Sequence, residues 1–266
     1  MTVFTFDQKS RIGGRPQQSI VEQPERVDAR VAVAETWRQA MLPKLPEVDG
    51  YHLAARYLPA DDVGRVGGDW YDAVSATDGR LTLVIGDVTG HDAVAAARMS
   101  ELRCMLRAFV LDRREPPAEL LSRLDAVNHA LGEPTMATSV VVVVDRIADG
   151  NFQLCWSNAG HPPPLIVTAE RSVRALPGHD MLLGAYPEVT RRSYTCRVPA
   201  GSIVLLHTDG LVEDRGRHID EGFEALHRRL RSSAALGLDG LLDDAVGMAP
   251  PKRADDIALL AVRLLG

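Results

Sequence analysis

Apolar and polar positions along the chain fall into short runs of strand character, interrupted in blocks by stretches with helical spacing. Tyr51 to Leu58, Asp69 to Ser75 and Leu81 to Val88 read as strands, with the turn signal Thr77-Asp78-Gly79-Arg80 between the last two. Residues 92 to 112, rich in Ala, Arg, Met and Leu, predict a helix, with Met99, Leu102 and Met105 as core positions. A second helix is predicted over 117 to 131, entered through Pro116-Pro117, where proline suits the first turn. Strands resume at Thr138 to Arg146 and, after the turn Ala148-Asp149-Gly150, at Asn151 to Ser157. Further strands are expected at Leu165 to Thr168, Ser193 to Val198 and Ser202 to Thr208. Helices follow at about 220 to 232 and 238 to 247, and Ile257 to Leu264 closes as a strand. Hairpin-linked strands with helices inserted in blocks indicate an α+β fold rather than a βαβ repeat.

The N-terminal part has a different texture. Residues 1–26 are polar and carry Gly13, Gly14, Pro16 and Pro24, which predicts a flexible tail. Residues 27–42 place Val27, Val31, Ala34 and Met41 at helical spacing before Pro43 and Pro46 end the pattern. Such a helix packs on its own domain or serves as a dimer or signal-input element, since Val27, Ala34 and Met41 lie seven apart. Residues 43–266 then form the main domain.

Composition narrows the function classes. With 266 residues, 45% hydrophobic and 25% charged, the chain has the make-up of a globular protein with a sizeable core. A net charge of −6 argues against nucleic acid as a partner, because neutralising phosphates needs a basic face. Cys104, Cys155 and Cys196 are scattered and include no Cys-x-x-Cys, so neither a zinc ribbon nor a redox pair is indicated. The N-terminus has no apolar signal segment, and the longest aliphatic run, Val140 to Val144, is far too short to span a membrane. A cytoplasmic protein is expected.

The candidate chemistry lies in aspartates at strand ends beside glycines: Asp69 after Gly67-Gly68, Asp87 in Gly86-Asp87-Val88-Thr89-Gly90, Asp209 before Gly210, and Asp255-Asp256 before Ile257. A carboxylate at the edge of a core is costly unless it is paired or holds a metal. Each Asp-Gly alone reads as a surface turn. If they converge, they form an all-oxygen set suited to Mg²⁺ or Mn²⁺ rather than Zn²⁺. Gly68 adds the freedom for close backbone approach beside Asp69. No cysteine has Arg six residues on, and no Gly-x-x-x-x-Gly-Lys-Ser/Thr loop exists, which excludes cysteine-phosphatase and ATP-loop chemistry.

Five motifs in order carry a resemblance: Val66-Gly67-Gly68-Asp69-Trp70-Tyr71-Asp72, Gly86-Asp87-Val88-Thr89-Gly90-His91, Asn158-Ala159-Gly160-His161-Pro162-Pro163, Thr208-Asp209-Gly210-Leu211-Val212-Glu213 and Asp255-Asp256-Ile257. Over residues 40 to 266 the chain resembles the bacterial type-2C (PPM) metal-dependent serine phosphatases of the stage II sporulation protein E and sigma-B-regulator class. The resemblance implies an αββα four-layer sandwich, two antiparallel sheets flanked by helices. It implies two Mn²⁺ or Mg²⁺ ions at one end, with Asp87 bridging them and the Val88 carbonyl on one. Asp209 and Asp255 would hold the other, and Asp69 would act in that second metal's shell, directly or through water. Asp256 ranks below Asp255. A water between two such ions deprotonates readily and can attack phosphorus in line.

The family's usual substrate implies a phosphoserine on an anti-sigma-factor antagonist, so the output would be sigma-factor control. His161 is a candidate general acid near the leaving group, or a histidine that locks its loop. His91 opens the helix after Asp87, and His207 is left without a role. Asp92 stands where relatives usually have Gly, as a helix cap or as an influence on the metals, and Ala258 stands where many have Thr. The competing reading is an inactive pseudophosphatase that binds a partner protein; the intact aspartates argue against it. A helical metal phohydrolase built on His91-Asp92 or His179-Asp180 is disfavoured by the strand content.

Overall fold

The computed structural model describes residues 42–61, 67–76, 79–90, 92–213 and 218–266. The expected tail over 1–26, the expected helix over 27–42 apart from Leu42, and His91 lie outside the described residues. Two antiparallel sheets of five strands face each other. One runs β1 (Tyr51–Leu58), β10 (Ile257–Leu264), β9 (Ile203–His207), β6 (Leu165–Val167) and β7 (Val173–Ala175). The other runs β2 (Asp69–Ser75), β3 (Leu81–Val88), β4 (Ala137–Arg146), β5 (Phe152–Ala159) and β8 (Tyr194–Val198). Helices α1 (Ala93–Asp112) and α2 (Pro117–Ala130) cover the second sheet; α3 (Ile219–Ser233) and α4 (Gly237–Val246) cover the first. The α+β sandwich expected from the sequence is the fold observed.

Strand alternation divides the side chains between layers. Leu81, Leu83 and Ile85 of β3, with Val140, Val142 and Val144 of β4, point into the core between the sheets, where they meet Val204, Leu206, Leu260 and Val262. The intervening Val84, Val88 and Val141 face α1 and α2, against Met99, Leu102, Leu106 and Leu121. On the far side Ile203, Leu205, Leu259 and Ala261 meet Leu226, Leu230, Leu241 and Leu242 of α3 and α4. Both sheets are thus apolar on both faces, which explains the nearly unbroken aliphatic runs in β4 and β10. Among the described residues, no helix is long and apolar enough to cross a membrane.

Two elements depart from the sequence reading. β7 is not among the expected strands: it is three residues long and pairs only with β6. After β9 the chain turns into a 3-10 helix, Asp209–Leu211, which is likewise not among the expected elements. Alternation also settles His207, which lies on the outer face of β9 with its ring edge-on to Phe223 of α3 and its Nδ1 3.0 Å from the Thr208 carbonyl. Burial holds its imidazole neutral, with the pKa pushed down to about 4.

A buried ion pair fastens the long connection between β7 and β8 to α2. Asp125 accepts from the Gly184 N–H at 2.8 Å and from the Arg191 Nη2 at 2.6 Å, and Arg191 also donates to the Met181 carbonyl. The Arg191 side chain is fully buried and that of Asp125 is 5% exposed. Removing one partner of such a pair strands the other charge. Asp125→Ala is therefore expected to lower stability by ~3–5 kcal/mol, measured as a shift of the urea unfolding midpoint.

Candidate active site

The pairing registers carry the sequence-predicted aspartates to one end of the sandwich. Asp69, the first residue of β2, lies directly across from Asp87 near the end of β3. Both have the parity of Tyr71 and Ile85, so both carboxylates face the space between the sheets. The opposite sheet delivers Asp209 after β9 and Asp255-Asp256 ahead of β10, where the Thr208 N–H donates to the Ala258 carbonyl at 3.0 Å. The Thr208 hydroxyl, accepting from the Ala258 N–H at 2.9 Å, ties these two strand ends together.

Glycines set how closely the two sheets approach here. A Cβ on Gly67 would fall 1.1 Å from Asp256 Oδ2, and one on Gly68 would fall 2.3 Å from the Val88 carbonyl oxygen and 2.9 Å from Asp87 Oδ1. The Val88 N–H donates to the Gly68 carbonyl at 3.1 Å. Only a bare backbone therefore lets the Asp69 segment lie against the end of β3. Gly68 and Val88, both singled out from the sequence, belong to this contact. Gly67 was part of the quoted motif without a role; its packing on Asp256, far away in the chain, leaves no local signal.

The carboxylates repel one another. Asp69 is 2% exposed, and burial together with the charges of Asp87, Asp256 and Asp209 raises its pKa well above the usual carboxylate range. Asp87 is pushed up to about 8 by burial and by Asp209 and Asp255, partly offset by a hydrogen bond with Asp69. Asp209 is raised by burial, then by Asp255 and Glu213. Glu213 closes the Thr-Asp-Gly-Leu-Val-Glu motif and was not assigned a part from the sequence. Asp255 is exposed and accepts the Asp256 N–H at 2.9 Å; Asp256 is buried and accepts the Ala60 N–H at 2.7 Å.

These residues fit hard divalent cations. Asp69 Oδ2 is buried with no hydrogen-bond partner, and the surrounding donors are all oxygen. Among the described residues no group of three acidic, histidine or cysteine side chains closes around a single point. The donors are instead spread across the seam, an arrangement suited to ions that take one or two carboxylates and keep several waters, as Mg²⁺ does.

The remaining candidates stand apart from the carboxylates. Asp92 is the N-cap of α1, accepting from the Val94 and Ala95 N–H groups at 3.0 and 2.9 Å. His161 is 5% exposed, and burial and His207 push its pKa down to about 3, so the imidazole is neutral. Its Nδ1 lies 2.8 Å from Thr138 Oγ1, and Thr138 is the cross-strand partner of Asp87. The Asn158 amide accepts from the His161 N–H and donates to its carbonyl, at 2.7 and 2.8 Å.

Relieving the repulsion should stabilise the metal-free protein. In excess chelator, Asp69→Asn is expected to melt above the wild type by ~2–4 °C, the shift that about 1 kcal/mol produces at this size. Added Mg²⁺ should raise the melting temperature of the wild type more than that of the variant. A chelated variant that melts at or below the wild type would show that the cluster stores no such repulsion.

Comparison with known proteins agrees with this geometry. Residues 77–265 match the family model described as stage II sporulation protein E. The chain is 26% identical to protein IcfG of Synechocystis sp., over 67% of this chain and 32% of that protein, so it spans about a third of the length of that curated relative. The structure of the RsbU and RsbW domains of Rv1364c from Mycobacterium tuberculosis is 35% identical, with a TM-score of 0.72 over 86% of this chain and 64% of that one. The SiaA-PP2C domain of Pseudomonas aeruginosa shares the fold at 20% identity, with a TM-score of 0.69 over 93% and 99% of the two chains. The family model spans most of the chain, which belongs to the stage II sporulation protein E family.

Proposed function

We propose that this protein is a Mn²⁺- or Mg²⁺-dependent protein serine/threonine phosphatase that hydrolyses phosphoserine with a water activated by two metal ions. The observation that carries the reading is the seam of carboxylates, Asp69, Asp87, Asp209, Asp255 and Asp256. Both sheets contribute to it, and it is held together although its members raise one another's pKa. Such a cluster is paired with cations or it is a standing cost.

In this reading Asp87 and the Val88 carbonyl would hold ions from the β3 side, and Asp209 and Asp255 would hold them from the β9 and β10 side. Asp69, across the strand pair from Asp87, would take part in the second metal's shell directly or through water. When bound, the metals supply an activated water and offset charge on the phosphoryl oxygens. The chain's own part is to fix these oxygens on strand ends. Rigid placement of this kind lets a site act without reorganising during reaction. Gly67 and Gly68 admit the close approach that places them. His161, buried and neutral, locks the Asn158–Pro163 turn and Thr138 rather than delivering a proton. Asp92 serves as a helix cap.

The similarity to RsbU and RsbW domains supports placement in a partner-switching pathway. The phosphoprotein substrate is then an anti-sigma-factor antagonist.

The test is hydrolysis of p-nitrophenyl phosphate with Mn²⁺, Mg²⁺ or excess chelator. Wild-type turnover should depend on the metal. Asp87→Asn and Asp209→Asn should each lower it by ~100-fold or more, the scale of removing one fixed electrostatic partner, while circular dichroism remains unchanged. Full turnover in either variant would overturn the ligand assignment. A wild type that binds Mn²⁺ by calorimetry yet turns over neither this compound nor a phosphoserine peptide would favour the pseudophosphatase.

A further inference from the structure

A pocket of about 370 Å³ opens at the same end of the sandwich as the carboxylates. Its wall includes Asn158, His161, Pro163, Ala175, Leu176 and Pro177, with His179 exposed nearby. These residues come from the end of β5, the turn that follows it, and the end of β7. The strand ends carrying Asp87, Thr138 and Ala159 are neighbours in that order across β3, β4 and β5. His161 joins the two regions, since it lines the pocket and also meets Thr138, the partner of Asp87.

The pocket is built rather than incidental. Leu176 is fully buried, and its N–H donates to the Pro164 carbonyl at 2.8 Å. Trp156 Nε1 donates to the Pro177 carbonyl at 2.9 Å. Both ends of the Asn158 amide are engaged by the His161 backbone, and the His161 Nδ1 is engaged by Thr138. These polar atoms are occupied within the protein, and the other ring nitrogen, His161 Nε2, is buried. What the wall offers an incoming group is the apolar surface of Pro163, Ala175 and Pro177, backed by the buried Leu176. A neutral His161 adds no charge to it.

The spacing indicates what reaches it. Adjacent strands lie about 4.8 Å apart, so two steps from β3 to β5 cover roughly 10 Å. An extended peptide advances about 3.3 Å per residue, which makes that distance three residues. We infer that this pocket takes an apolar side chain of the phosphoprotein substrate, three residues from the phosphoserine. The inference rests on the carboxylate seam being the phosphoserine-hydrolysing site, and it adds a specificity subsite to it.

The test uses phosphoserine peptides that are identical except for Leu or Gly at one position, scanned from one to four residues on each side, with Mn²⁺ present. In the wild type, Leu three residues away on one side should raise kcat/KM by ~10-fold, the scale on which filling an apolar pocket discriminates. Ala175, an exposed wall residue outside the carboxylate site, is replaced by Trp to fill the space and by Ser as a control. Ala175→Trp should abolish the Leu preference, Ala175→Ser should keep it, and p-nitrophenyl phosphate turnover should stay within about twofold in both. A flat wild-type scan, or a preference that survives Ala175→Trp, overturns the subsite while leaving the phosphatase intact. Absence of all hydrolysis, of peptides and p-nitrophenyl phosphate alike, overturns the phosphatase reading, and the subsite falls with it.

Discussion

Mutual repulsion among carboxylates at the seam of two sheets is the constraint around which this structure is arranged. Asp69 and Asp87 arrive on one sheet, Asp209, Asp255 and Asp256 on the other, and the charges arriving from the second sheet raise the cost of ionising Asp69 and Asp87. Nothing in the seam itself favours their meeting. They are held there by the apolar layers behind them: the core between the sheets and the two helical layers outside. The hydrophobic effect acts over the whole sandwich, so it can sustain a local electrostatic cost at one end. The same reasoning explains the bare backbone at Gly67 and Gly68. A side chain there would push apart the groups that the core draws together.

Much of the fold was legible because its strands are short, aliphatic and bounded by breakers. β1, β2, β3 and β10 begin and end where the hydrophobic pattern places them. β7 was not legible, because three residues with Arg174 at the centre have no period to read, and only pairing with β6 makes them a strand. The direction of His207 waited on the register of β9, since a residue between Leu206 and Thr208 can face either layer until the partner strand is known.

The site was legible in its parts and not in its assembly. Aspartate beside glycine at the end of an aliphatic run marked Asp87 and Asp209, and the ordered motifs added Asp69, Asp255 and Asp256. What joins them is contact across long stretches of chain, which no local pattern encodes. Thr138 illustrates this. Nothing near it in the sequence marks it, yet it stands opposite Asp87 and bonded to His161, connecting the carboxylate seam to the turn after β5. Glu213 went unassigned for a different reason: its motif was visible, but its effect depends on how the 3-10 turn carries it back toward Asp209.

The pairing of β1 with β10 has a consequence for how the protein comes into being. These strands lie about two hundred residues apart in sequence, yet they are adjacent in the sheet, and β10 also separates β1 from β9. Closing so long a loop is a late and entropically costly event. The sheet of β2, β3, β4, β5 and β8 can form from two hairpins, β2–β3 and β4–β5, joined through α1 and α2, and one later strand, while the other cannot be completed until β10 docks. Because β10 is preceded by Asp255 and Asp256, these two carboxylates join the others only at that step. Asp69 and Asp87 meet earlier, within the β2–β3 hairpin, and the seam gains its full charge only when the core that restrains it is complete.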